Sequence, residues 1–319
     1  MALAVPPSAL VSRFRADLDA LVGEGDGRLG VAISGGPDSL ALLLLAHAAR
    51  PGGIAAATVD HRLRTESADE AAFVARVCAE LDVPHATLAD DAPITGNVQS
   101  GARALRYRLL GHWAEATGAG WLLTAHHRDD QVETLLMRLN RGAGVGGLAG
   151  VRATTVIDRA KVARPLLGWS REELAAVVAA AGLIPVQDPG NIDPRYDRAR
   201  LRAQLADAGW IDRRGVARSA AALAEADAAL EWMAERLLSE CVTRAGDAFQ
   251  LDTDGLPGEL RRRLTLRILA GLAPGVAARG PELDRLLETL ASGGSATLGG
   301  VKCVGGATWR FEAAPPRRS

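Results

Sequence analysis

A short apolar run, Val31–Ile33, enters the polar turn Ser34-Gly35-Gly36-Pro37-Asp38-Ser39, and the chain leaves that turn in a run of leucines and alanines ending near Ala49. Strand, tight loop and helix in immediate succession are the seed of an α/β fold. The loop's composition adds chemistry to that geometry. Two adjacent glycines let the backbone come close to an anion. A helix starting near Ser39 presents unpaired N–H groups at the positive end of its dipole, and Ser34 and Ser39 add hydroxyl donors. The loop lacks the lysine of a GxxxxGKS/T phosphate loop and does not match GxGxxG. Asp38 places a carboxylate where phosphate would be held, which calls for a bridging cation, and Mg²⁺ commonly plays that part beside nucleotide phosphates.

The surrounding sequence extends the pattern. Leu29–Ile33, Ile54–Val59, 85–89 (HATLA) and 121–125 (WLLTA) read as strands. Between and after them, helices are expected over Ser39–Ala49, from the capping-box pair Ser67 and Glu70, over Asn97–Thr117, over Asp130–Leu139 and over Glu172–Ala181 behind the pair Ser170 and Glu173. Such alternation predicts a mostly parallel sheet with helices on both faces. Residues 141–150, RGAGVGGLAG, hold five glycines and read as a mobile loop or lid with few side chains to pack it. Past residue 208 the alternation stops. A long alanine-rich amphipathic helix over 217–244, helical segments near 258–272 and 281–291, and strands with glycine turns over 295–313 predict a smaller, helix-rich α+β second domain.

Composition narrows the function classes. The three cysteines, Cys78, Cys241 and Cys303, lie far apart, which argues against a disulfide framework, a zinc site or an iron–sulfur cluster and fits a reducing, cytoplasmic setting. No apolar leader opens the chain, and Leu40–Ala49 is too short to span a bilayer, so no membrane is expected. The net charge is only −1, but residues 195–218 carry seven arginines against three aspartates, a local surface suited to phosphate contacts.

A second dense patch, TAHHRDDQVETLLMRLNRGAG over 124–144, leaves the fourth strand and opens a helix, so it should lie beside the phosphate loop at the carboxyl ends of the strands. Asp129 with Glu133 and Asp130 with Glu133 can share a helix face. The acids are candidates for Mg²⁺ or a cationic substrate, and His126-His127 sit next to them.

SGGPDS resembles the signature of the PP-loop ATP pyrophosphatases, which cleave ATP between the α- and β-phosphates. The series SGGPDS, VDHRLRTES (59–67), ARALRY (102–107), 124–150, RPLLGWSREEL (164–174) and QDPGNIDPRYDRARLR (187–202) is similar to the tRNA(Ile)-lysidine synthases. That resemblance covers about 28–202 and implies a Rossmann-like PP-loop catalytic domain over 1–212, with a tRNA-binding domain over 213–319. It implies a ligase that uses ATP to adenylate carbon 2 of the wobble cytidine in an isoleucine tRNA with a CAU anticodon. Free L-lysine then displaces AMP to give lysidine; a homodimer is left open. Ser34, Gly35, Gly36, Pro37, Asp38 and Ser39 would grip ATP, with Asp60, His61 and His126 around the nucleotide and Asp38 and Asp129 on Mg²⁺. Arg106 would stabilise the α-phosphate, and Asp130 and Glu133 would hold the lysine ammonium, with Asp129 beside them. Arg103, Arg195, Arg198, Arg200 and Arg202 are candidate tRNA phosphate contacts. A 2-thiocytidine-forming relative and a non-catalytic ATP- or RNA-binding module are the competing readings. The first needs a cysteine arrangement this chain lacks, and the second should have lost the acids that are all present.

Overall fold

The computed structural model describes every residue except 1–2, 26, 63–66, 91–97, 188–194, 196, 276–279 and 315–319; at 98 and 99 only the backbone is described. Parts of the 59–67 and 187–202 motifs lie outside the described residues. The chain forms two compact units, residues 1–142 with 147–221, and residues 143–146 with 222–319.

The first unit is built on a six-stranded sheet. Its strands are β1 (Leu29–Ala32), β2 (Ile54–Asp60), β3 (His85–Ala89), β4 (Trp121–Leu123), β5 (Thr154–Ile157) and β6 (Ala160–Ala163), in the order β3-β2-β1-β4-β6-β5. All neighbours pair in parallel except β5 against β6. The winding reverses between β1 and β4, which leaves a crevice at their carboxyl ends, the usual ligand position in such sheets.

Helices α1 (Ser8–Val22), α2 (Pro37–Ala49), α3 (Ser67–Glu80), α4 (Val98–Thr117), α5 (Arg128–Leu139), α6 (Val145–Leu148), α7 (Arg171–Ala180) and α8 (Asp197–Ala206) follow the chain. Leu40 to Leu45 of α2 are at most 2% exposed. A helix apolar all round must be covered all round, and α1 supplies part of that cover through Phe14 and Leu18, both in the same core as α2. Arg50 at the end of α2 is ion-paired with Asp19 of α1, and Trp169 donates its indole N–H to Asp17 at 2.8 Å. The other face of the sheet carries Tyr107, Leu110 and Trp113 of α4. Gly30 is required there, because a Cβ would lie 2.8 Å from the Trp113 ring.

Two expectations change. The glycine-rich segment 141–150 is not a loose loop: it holds one turn of helix, α6, and α5 fastens its far end. Arg138 donates to the Gly147 and Gly150 carbonyls at 2.8 and 3.0 Å, and the Gln131 amide exchanges two hydrogen bonds with the Val151 backbone. Gly150 has φ +67°, and a Cβ there would collide with the Gln131 amide oxygen. The glycines make room for α5's side chains. The second change is at the loop, where α2 starts at Pro37 rather than Ser39, with Gly36 as N-cap; proline at the first helical position loses no hydrogen bond.

The second unit contains most of α9 (Arg213–Cys241), with α10 (Gly258–Leu272) and α11 (Gly280–Ala291). An antiparallel sheet joins them, in the order β7-β8-β11-β10-β9. Its strands are β7 (Val242–Ala245), β8 (Ala248–Asp252), β9 (Ser295–Leu298), β10 (Val301–Val304) and β11 (Thr308–Ala313). Its core includes Leu251, Leu264, Leu286, Leu290, Trp309 and Phe311. The expected division at 212/213 coincides with the start of α9, whereas residues 213–221 pack with the first unit.

Candidate active site

The loop after β1 is shaped from its own backbone. Gly35 adopts φ +82°, which side chains disfavour, and a Cβ there would press on Val186 and Val74 at 3.1 and 3.3 Å. Its carbonyl accepts from the Val186 N–H at 2.9 Å. The Ser39 hydroxyl lies 3.0 Å from the Gly36 carbonyl and accepts the Ser34 N–H at 3.2 Å, drawing the turn closed. No side chain caps the N-terminus of α2, so its first donors point into the crevice for an anion to take. Asp38 is in that first turn, and its Oδ1 is enclosed without a hydrogen-bond partner.

The end of β4 faces this loop with the second patch, and the two adjacent histidines part company there. His126 has its Nδ1 3.1 Å from the Thr124 hydroxyl. Burial, with help from the Arg164, Arg103 and Arg198 cations, pushes its pKa down to about 4 despite Asp130, so the ring is neutral. His127 is 1% exposed and sits among three carboxylates: Asp38 and Asp130 at 3.4 and 3.6 Å from Nε2, and Asp129 at 3.6 Å from Nδ1. Burial alone would lower its pKa, but hydrogen bonding to Asp129 and Asp38 and the Asp130 charge outweigh it and raise the pKa to about 9. As an imidazolium it ties the phosphate loop to the start of α5. Its Nδ1 also lies 3.2 Å from the Asp129 N–H as the N-cap of α5. That bond forms only on the neutral ring, so cap and cation are alternatives.

The acids of α5 are heavily partnered. Asp129 takes Arg213 at 2.7 Å and the Arg171 N–H at 3.1 Å; these and His127 hold its carboxyl well below the usual range against the opposing effect of burial. Asp130 accepts the His127 N–H at 3.0 Å and Arg198 at 3.2 Å, and its pKa is likewise lowered although burial opposes this. Glu133, 2% exposed, receives Arg198 at 2.7 Å on Oε2 and both Arg202 nitrogens, at 2.7 and 3.0 Å. A cleft of about 320 Å³ lies alongside, lined by Asp129, Glu133, Arg171, Arg202, Leu205 and Arg213.

The arrangement places the expected residues as follows. Arg198 and Arg202 are ion-paired with Asp130 and Glu133, their side chains 42% and 27% exposed. Asp129 has Arg213, the Arg171 N–H and His127 around it, and Mg²⁺ there would have to displace one of them. Asp38, with its unpartnered oxygen at the anion cradle, fits that cation. Among the described residues no group of three His, Cys, Asp or Glu side chains is arranged as a metal cage. Arg195 and Arg200 are exposed, with Arg200 ion-paired to Asp197.

On the β2 side, Asp60 accepts the Arg62 N–H at 2.8 Å. Both ring nitrogens of His61 are enclosed and have no hydrogen-bond partner among the described residues. Burial, then the Arg106 cation, lowers its pKa, which also places Arg106 beside it. Arg103 stacks over the Tyr107 ring at 5.0 Å. Cys78 and Cys303 are buried, and burial pushes their thiols up to about 12 and 11; neither is a ready thiolate. From the sequence, His127 was placed beside the site with no specific task, and Arg164, Arg171 and Arg213 were not singled out. The signal for the last two was indirect: buried acids require cations, and distant arginines supply them.

Comparison with known proteins accords with this geometry. Residues 10–208 match the family described as the PP-loop domain. A tRNA(Ile)-lysidine synthase from Novosphingobium aromaticivorans is 48% identical over 98% of this chain and 96% of its own length. One from Zymomonas mobilis is 42% identical over 92% of this chain and 90% of its own. The U34-tRNA thiolase NcsA from Methanococcus maripaludis, solved with its 4Fe–4S cluster, superposes with a TM-score of 0.55 at 15% identity, over 68% of this chain and 79% of that one, and so shares the fold. With a match of this length and identity, the chain belongs to the tRNA(Ile)-lysidine synthase family, built on a PP-loop domain.

Proposed function

We propose that this protein joins free lysine to the wobble cytidine of an isoleucine tRNA with a CAU anticodon, using ATP in two steps. The cytidine oxygen attacks the α-phosphate and pyrophosphate leaves; the lysine amine then displaces AMP at carbon 2. The observation that carries this reading is the uncapped α2 N-terminus with Asp38 Oδ1 unpartnered beside it, opposite the acid cluster of α5.

Each group has a physical task. The N–H groups of Gly36, Asp38 and Ser39 and the two serine hydroxyls take up charge on the departing pyrophosphate, the stabilisation that matters most when charge develops in a dry site. Mg²⁺, held by Asp38, would neutralise phosphate charge when bound. Arg106 serves the α-phosphate. Neutral His61, whose nitrogens lack partners among the described residues, serves the adenosine along with Asp60 and His126. Asp130 and Glu133 receive the lysine ammonium, and to do so they must exchange Arg198 or Arg202 for it. Arg103, Arg195 and Arg200 contact tRNA phosphates, and the second unit extends the tRNA surface. Among the described residues no helix is long and apolar enough to cross a membrane.

The test supplies Mg·ATP, labelled lysine and a CAU-anticodon isoleucine tRNA transcript, with methionine tRNA as control. Stable label on the isoleucine tRNA alone, dependent on ATP and on its wobble cytidine, is the expected result. AMP and pyrophosphate without lysine transfer would overturn the assignment of the amine substrate.

A further inference from the structure

Between α8 and α9 the chain turns through Asp207–Asp212, and Trp210 stands on that turn 86% exposed. The other tryptophans behave differently. Trp113, Trp169 and Trp309 are at most 8% exposed, Trp121 is half-buried, and Trp232, though 59% exposed, has the Arg236 guanidinium over its ring at 5.0 Å. An indole left in water forfeits the largest apolar burial any side chain offers. It is also not presented on a loose tip. The Gly209 N–H donates to the Asp207 carbonyl at 3.0 Å, and the Ile211 N–H to Ala208 at 3.1 Å.

The turn is anchored to the acid cluster from both sides. On one side, α8 carries Arg198 and Arg202, which grip Glu133. On the other, Arg213 donates to the Leu205 carbonyl at 2.9 Å and to Asp129 at 2.7 Å. The backbone turn that carries Trp210 is therefore tied at both ends to the acids. The first turns of α9 add charge. Arg214 and Arg218, one helical turn apart and so on one face, are exposed, and neither forms an ion pair among the described residues. The nearby Asp212 accepts the Arg214 N–H on Oδ1 at 2.9 Å and keeps its charge, against the two cations of Arg214 and Arg218.

A solvent-facing aromatic on an anchored turn, beside arginines without ion pairs among the described residues, is the combination that binds unpaired nucleic-acid bases: the ring stacks on a base face while the cations take the flanking phosphates. We propose that Trp210 is a stacking platform for an unpaired base of the substrate RNA, with Arg214 and Arg218 on the adjoining phosphates. The inference rests on the reading of the substrate as a tRNA and adds to it the surface that registers the RNA against the site.

The experiment measures binding of a fluorescently labelled CAU-anticodon tRNA transcript at several salt concentrations, with wild type, Trp210→Ala, Trp210→Phe and Arg214→Ala. Trp210→Ala should weaken binding by roughly 5- to 100-fold, as loss of one stacked base does, with the salt dependence unchanged. Trp210→Phe should recover most of the affinity. Arg214→Ala should reduce the salt slope by about 1. Unchanged affinity in Trp210→Ala, with wild type binding normally, would overturn the platform. So would sedimentation showing a wild-type dimer that Trp210→Ala dissociates, since the indole would then cover a second copy of the chain. Failure of wild type itself to bind the transcript would instead overturn the tRNA reading on which the inference rests.

Discussion

His127 should make the fold lose stability as the solution becomes alkaline. Its ring is 1% exposed and lies within 3.6 Å of three carboxylates, which raise its pKa from the ordinary 6.5 to about 9. At about 1.4 kcal/mol per pKa unit, that rise is worth about 3 kcal/mol. Because the folded-state pKa lies above the unfolded one, the contribution is fully present below pH 6.5 and disappears as pH rises through 9. Part of the mechanism is visible: on deprotonation Nδ1 gains the Asp129 N–H, while Asp38, Asp129 and Asp130 lose the cation they share. Urea unfolding of wild type and His127→Gln at pH 6 and pH 9.5 provides the measurement. Wild type should lose about 3 kcal/mol more than the variant over that interval, and NMR should find the imidazole titrating well above 7. A His127 resonance that titrates below 6.5, or equal pH dependence in the two proteins, would refute the reasoning.

Two further substitutions probe neighbouring parts of the site. Glu133→Gln removes the charge that Arg198 and Arg202 share; both arginines are partly solvated, so the cost should be about 2 kcal/mol, read by thermal unfolding, and lysine transfer should fall as well. Gly35→Ala forces a Cβ into φ +82° and against Val186; a loss of about 1–2 kcal/mol is expected, together with weakened ATP binding measured by calorimetry.

Legibility in the sequence followed the range of the interactions. The strand–loop–helix segment, β3 at 85–89, α10 at 258–272 and the Ser170–Glu173 capping box depend on local periodicity or on residues three apart, and they were readable to within a residue or two. The five-glycine segment was misread because its stiffness comes from Arg138 and Gln131 on another element. The β5–β6 hairpin has strands of only four residues, too short for a periodic signal. At the site, spacing identified the acids but not their partners. Asp129 meets Arg213, far along the chain, and nothing in the local pattern distinguishes that arginine from Arg214 beside it. The split between His126 and His127 was equally hidden, since it depends on which ring faces the carboxylates of two different elements.

The central claim is that the lysine-free loop and Asp38 direct cleavage between the α- and β-phosphates of ATP. The most direct test follows ATP labelled at the α- and γ-positions, with the isoleucine tRNA transcript and lysine, in wild type and Asp38→Ala. The account predicts AMP and intact pyrophosphate in equal amounts from wild type, and loss of both in Asp38→Ala. Release of ADP and orthophosphate, or undiminished pyrophosphate from Asp38→Ala, would contradict it.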